Sequence, residues 1–346
     1  PSAAAFITLQ SGAGIRGLTI WYPNQNKWNT PAAFPSTIRG AGQNVWVVNV
    51  TVAGGTQGVD LSADAGGHYL EFYCGFSFQN NITVDNASAA GRLINLHFNP
   101  HFYMRSSRLS GHGGWAAADE SAHIADLLSV MHSTLDGAVI LKKTTGEQVI
   151  SVFNYGGRTG LKLLNGSAGA FDGVLFSAGF DGSVTAYQVE ETAGSALFLN
   201  TSADCVPSTA GEESYYLKQS GGTVRLVNNS LSSYNWTLQN GAVVEAGTLE
   251  LRQVMFSASA TNATVQVKGG SSVKATLDGC LFLHKGAGNP DGVSFSNQSS
   301  GQVVDLKKPL LGASVTLGCN VARNFWSMSR VTRPSSCKTQ TFTGNQ

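Results

Sequence analysis

Charge is what this sequence has least of. Of its 346 residues, 12% are Asp, Glu, Lys or Arg, about half the ~25% usual in globular chains. The 22 basic and 21 acidic side chains nearly cancel, to a net charge of +1. No basic surplus is left to bind a phosphate backbone, which argues against a nucleic-acid partner. Long apolar runs are missing too. None approaches the ~20 residues that a membrane-spanning helix needs. Disorder is excluded from the other side, because 42% of the residues are hydrophobic and they are spread along the whole chain.

What is abundant is glycine, with 41 residues, together with Asn and Ser in short clusters. Between these clusters, β-rich runs recur. "VWVVNVTV" starts at 45, "HYLEFYCGFSF" at 68 and "RLINLHF" at 92. After an interruption come "VLFSAGF" at 174, "ALFLNTS" at 196, "TVRLVNNSL" at 223, "LELRQVMFS" at 249 and "VKATLDGCLFL" at 273. The starts are 22 to 27 residues apart within each block. A period of 20–30 with one or two strands and no helix is a coil of a parallel β-helix, whereas a sandwich shows hairpin turns about every 8–12 residues. The fold expected is therefore all-β, a right-handed parallel β-helix spanning 1–318, with 319–346 as a C-terminal tail. The interruption, near 104–137, contains "WAAADESAHIADLLSVMHSTL", with apolar residues at helical spacing and Asp119 and Glu120 early. It predicts a short helical insertion over one face.

Compartment is read from two features. Nine Asn-x-Ser/Thr sequons stand at Asn49, Asn81, Asn86, Asn165, Asn200, Asn228, Asn235, Asn262 and Asn297. A late cysteine pair, Cys319 and Cys337, flanks a Pro/Ser/Arg stretch and reads as a disulfide pinning the tail. With the low charge, both favour an extracellular glycoprotein. The sequence has no leader-like segment, as expected of a mature or truncated product.

Several motifs have plain readings. "GAGIRG" (12–17) matches a dinucleotide fingerprint in letters but runs into the strand-like "LTIWY", so it is a turn. "SGHGGW" (110–115) contains the Gly-His-Gly of polygalacturonases without the accompanying aspartate motifs, and reads as a loop. His97 and His101 are four apart in "GRLINLHFNPHFY" (91–103). On a strand those positions share a face but lie about 13 Å apart, beyond the reach of one ion. No metal and no cofactor is expected. The stretch reads instead as a coil lip, with Arg92, Asn95, Asn99, Tyr103 and, on the insertion, Trp115 as a sugar-binding set of planar donors and rings.

"GIRGLTIWYPNQNKW" (14–28), "GVDLSADAGGHYLEFYCG" (58–75) and "GRLINLHFNPHFY" (91–103) resemble right-handed β-helix proteins of the pectate-lyase-like superfamily. The likeness runs through about the first 205 residues, to "YGGRTGLKLL" (155–164) and "FDGSVTAYQVE" (180–190). It implies a β-helix and a glycoside hydrolase or polysaccharide lyase ancestry, with hydrolase favoured over lyase. It also implies an acidic, Trp-containing stretch just before "YGGRTGL". This chain has "KKTTGEQV" (142–149) there, which keeps only Glu147 and has Thr145 and Gly146 in the other places.

A glycosidase needs two carboxylates. Asp60 and Asp85 lie one coil length apart and are the expected pair, with His68 or His97 orienting one of them and Glu147 as a third candidate. Each aspartate also suits a turn. Two functions remain open. One is an extracellular β-helix glycoprotein, a structural or carbohydrate-associated component of a surface layer or fibre that has lost catalysis. The other is a secreted carbohydrate-active enzyme. Glycans are the expected partners, joined by head-to-tail self-assembly or a partner chain covering the first coil.

Overall fold

The computed structural model describes residues 4–25, 28–104, 120–209, 212–238, 241–260, 264–268 and 273–283. Beyond these it describes the strands Val293–Phe295, Gln302–Lys307, Val315–Leu317, Val321–Phe325 and Val331–Thr332. The fold is an all-β parallel β-solenoid that is 6% helical. It divides into two compact units, Pro1–Val184 and Thr185–Gln346.

In the first unit the strands Gly14–Trp21, Trp46–Leu61, Tyr69–Val84, Arg92–Phe98, Glu147–Tyr155 and Phe171–Phe176 stack in parallel, one coil on the next. Side chains alternate between the two faces of a strand, so residues in register form columns inside and outside the coil. Val47, Leu70, Leu93, Val149 and Leu175 make one such inner column, and all are fully buried. Each such side chain contributes roughly 1.5–3 kcal/mol through burial.

Successive coils of the first unit share a bend at one residue in the left-handed region. Gly17, Asn49, Phe72, Asn95, Ser151 and Ser177 occupy equivalent places on successive strands, with φ between 49° and 71°. Asn and Gly tolerate this conformation because neither a branched Cβ nor a bulky ring opposes it. The bend takes a single residue, which is why "VWVVNVTV" reads in the sequence as one run although it turns at Asn49. Two coils of the first unit accordingly run as long bent strands of 16 residues, Trp46–Leu61 and Tyr69–Val84.

In the second unit a coil carries three short strands, as in Thr185–Val189, Thr192–Leu199 and Ser202–Cys205. Thr185–Val189, Tyr215–Gln219, Ala242–Val244 and Val265–Val267 stack on one side. Thr192–Leu199, Thr223–Val227, Thr248–Arg252 and Lys274–Asp278 stack on the next. Its bends fall at Asn200, Asn228, Gln253 and Gly279. Asn228 donates from Nδ2 to Asn200 Oδ1 at 2.7 Å, a rung of a surface amide ladder.

The helical insertion expected near 104–137 is present as α1 (His101–Met104) and α2 (Glu120–Thr134). Leu127 and Met131 of α2 pack with Leu135, Tyr103, Phe76 and Phe78 in a second apolar cluster on the outside of the coil. Gly182 O lies 2.9 Å from His132 Nε2 near the end of α2. Among the described residues no helix is long and apolar enough to cross a membrane, which leaves strand-built membrane proteins unaddressed.

Candidate functional site

The outer face of the first unit carries a pocket of about 390 Å³, lined by Thr19, Thr51, Ala53, His97, Asn99, His101 and Phe102. Thr19, Thr51 and His97 belong to one outer column that also contains Cys74 and Phe153. The His97 ring meets Phe102 and Phe153 edge-on, at centroid distances of 5.4 and 5.1 Å. Burial, and then the nearby His101, push the His97 imidazole below its ordinary range, so it is a neutral donor and acceptor at pH 7. Asn99 Oδ1 accepts from the His101 amide at 3.0 Å, which turns the chain from the strand into α1.

That turn corrects the sequence reading of the two histidines. A straight strand would hold His97 and His101 far apart, but the chain reverses at Asn99 and Pro100 and both rings line one pocket. Among the described residues no group of three His, Cys, Asp or Glu side chains is placed to hold a metal ion.

The other candidates are dispersed. Arg92 lies exposed on the strand Arg92–Phe98, and Asn95 forms a bend. Tyr103 is 1% exposed and donates to Gln25 O at 2.7 Å, so it belongs to the apolar cluster under the helices and not to a lip. Trp115 lies outside the described residues. Asp60 is in register with Thr83, not Asp85, because the coil is two residues shorter than the spacing of the two aspartates. Asp60 accepts from the Ser62 backbone and hydroxyl and faces Arg39 at 3.8 Å. Asp85 accepts from the amides of Asn86 and Lys143, with Lys142 Nζ 3.7 Å away. Both aspartates thus serve turns. His68 and Glu147 do meet, at 2.8 Å, but both are buried inside the coil. Among the described residues the pocket wall has no carboxylate.

Sequence reasoning missed Thr19, Thr51, Ala53 and Phe102. A signal for two of them existed. "GLTI" (17–20) and "NVTV" (49–52) align on the bend residue, which puts Thr19 and Thr51 at the same outer position.

Of the sequons, Asn49, Asn86, Asn165, Asn200 and Asn228 are exposed. Asn81 is 1% exposed, with Oδ1 accepting from Ser77 N and Nδ2 directed at Asn154 Oδ1, so no glycan can project from it in the folded chain. Asn235 lies on the strand Ser230–Leu238, and Asn262 and Asn297 lie outside the described residues. Cys74, Cys205 and Cys280 take part in no disulfide among the described residues, and Cys319 and Cys337 lie outside them.

Comparison with protein-family models, with curated proteins and with solved structures finds no match. The chain stands as a parallel β-solenoid of the general β-helix fold.

Proposed function

We propose that this chain is an extracellular, carbohydrate-associated β-solenoid whose outer pocket holds a sugar unit without cleaving it. The observation that carries the reading is the pocket wall. It combines an aromatic ring, Phe102, with neutral hydrogen-bonding groups on Thr19, Thr51, Asn99 and His97. Sugars need that combination, rings for their apolar faces and planar or hydroxyl groups for their hydroxyls. Hydrolysis needs a carboxylate pair about 5 Å or more apart across the bond. Asp60 and Asp85 are engaged in turns instead. A pectate-lyase-like scaffold that kept its coils and lost its acids accounts for both facts, as does the replacement of an acidic stretch by "KKTTGEQV". The exposed sequons and low charge support a secreted, glycosylated chain.

A panel of plant, algal and host glycans tests this directly. Binding is expected without release of oligosaccharides. Phe102→Ala and Asn99→Ala are each expected to weaken it roughly 3- to 10-fold. Oligosaccharide release would move the assignment to a glycoside hydrolase, and unaffected binding in both variants would remove the pocket from it.

A further inference from the structure

One column inside the first unit breaks the apolar rule. Three consecutive coils contribute His68, Gly91 and Glu147 to it, as the amides of Arg92 and Gln148 donate to His68 O and Gly91 O at 2.9 and 3.0 Å. His68 and Glu147 are therefore two coils apart and still touch, Nε2 to Oε1 at 2.8 Å. They touch because the middle coil has no side chain. A Cβ on Gly91 would lie 2.0 Å from the His68 ring. The coil beyond Glu147 also presents a glycine, Gly173, where a Cβ would lie 2.3 Å from Glu147 O.

The ring's other nitrogen decides its chemistry. His68 Nδ1 is 2.9 Å from Ala65 O, a carbonyl that can only accept. Against an ionised carboxylate at Nε2, both ring nitrogens face acceptors and both need a proton, and a neutral imidazole would set a lone pair against one of them. We propose that His68 and Glu147 form a proton-locked clamp across Gly91, closing three coils while the ring holds two N–H protons and loosening them when one leaves.

The surroundings leave the pair to itself. Glu147 Oε2 is buried with no hydrogen-bond partner among the described residues, so His68 is the one partner described for the carboxyl group. Gly91 and the Ala65 carbonyl also lie against the ring. Of the nearby carboxylates, Asp64 is engaged at the surface by Gln43 and Ser88, and Asp172 by the Gly146 amide. Burial alone would push the His68 imidazole down. The Glu147 charge and hydrogen bond, with the Ala65 carbonyl, outweigh it and raise the ring above its ordinary 6.5.

The sign follows from linkage. A base raised in the folded state contributes stability that is fully present below pH 6.5 and is lost as pH rises through the raised value. The unfolding constant of the full chain is expected to increase with pH there, by up to about tenfold per pH unit. Glu147→Gln keeps the shape and reverses the slope. Its amide donates to Nε2, the ring becomes a satisfied neutral base held down by burial, and stability is lost as pH falls instead. Imidazole nitrogen NMR of the wild-type chain gives an independent readout, with both His68 nitrogens protonated at pH 6. A neutral His68 at pH 6, or the same slope in wild type and Glu147→Gln, would overturn the clamp. Neither outcome depends on what the outer pocket binds.

Discussion

His68 and His97 stand on successive coils, one facing inward and the other outward, and nearly everything about them differs. His68 is 1% exposed, gripped by a carboxylate and a carbonyl, and raised above its ordinary range. His97 keeps part of its surface in solvent, meets two ring edges, and is lowered by partial burial and by the nearby His101. The coil wall separates a place where a charge must be paired from one where a neutral ring can serve a ligand. A polar residue inside a solenoid is therefore a commitment between coils, whereas the same residue outside is free to change with function.

The largest effect should come from stranding the inner carboxylate. His68→Leu leaves Glu147 buried and unpaired, at a cost of about 3–5 kcal/mol by denaturant unfolding. His68→Leu with Glu147→Leu should recover most of it, since a buried pair often exchanges for apolar residues without net loss. A double variant no more stable than the single would mean that the pair is not coupled. Gly91→Ala comes next. Its methyl group displaces the His68 ring, with an expected loss of about 1–3 kcal/mol, and a wild-type midpoint would show that the coils can part locally.

Outside the wall, His97→Ala should lower stability by less, about 0.5–1.5 kcal/mol, through two lost edge-to-face contacts. Its pH signature runs opposite to that of His68. A depressed base contributes stability above pH 6.5 that is lost as pH falls through the lowered value, so the variant's acid limb should flatten. The smallest effect is a gain. Phe72 is half exposed at a left-handed bend where Asn49 and Asn95 flank it. Phe72→Asn should relieve on the order of 1 kcal/mol of backbone strain, read as a higher unfolding midpoint.

The β-solenoid was legible because its cause is local and repeated. Alternation and a 22–27-residue period are visible in any two adjacent runs. The insertion was legible for the same reason, through helical spacing between 120 and 134. The site was not, because it depends on residues that the coil brings together only after folding. Asp60 and Asp85 looked like a stacked pair until the true coil length put Thr83 beside Asp60. Glu147 and Tyr103 looked like surface candidates because nothing local reveals that their positions face inward or lie beneath α2. The two histidines looked too distant because a turn at Asn99 cannot be read from spacing.

The left-handed bends also act as a ruler for where this architecture accepts new sequence. From Asn49 to Phe72 and from Phe72 to Asn95 they keep one step, the next equivalent bend described is Ser151, and the strands on either side keep their register across that gap. Between Asn95 and Ser151 the added length enters on the arc after Phe98, and the two bends are untouched. That arc is thus a cassette, in which one segment can be exchanged for another by descent or by design while the coils read through. The requirement on any replacement is set by what α1 and α2 now cover. It must bring enough apolar surface to shield Ala53, Phe76 and Phe78, and whatever else it carries becomes the wall of the pocket.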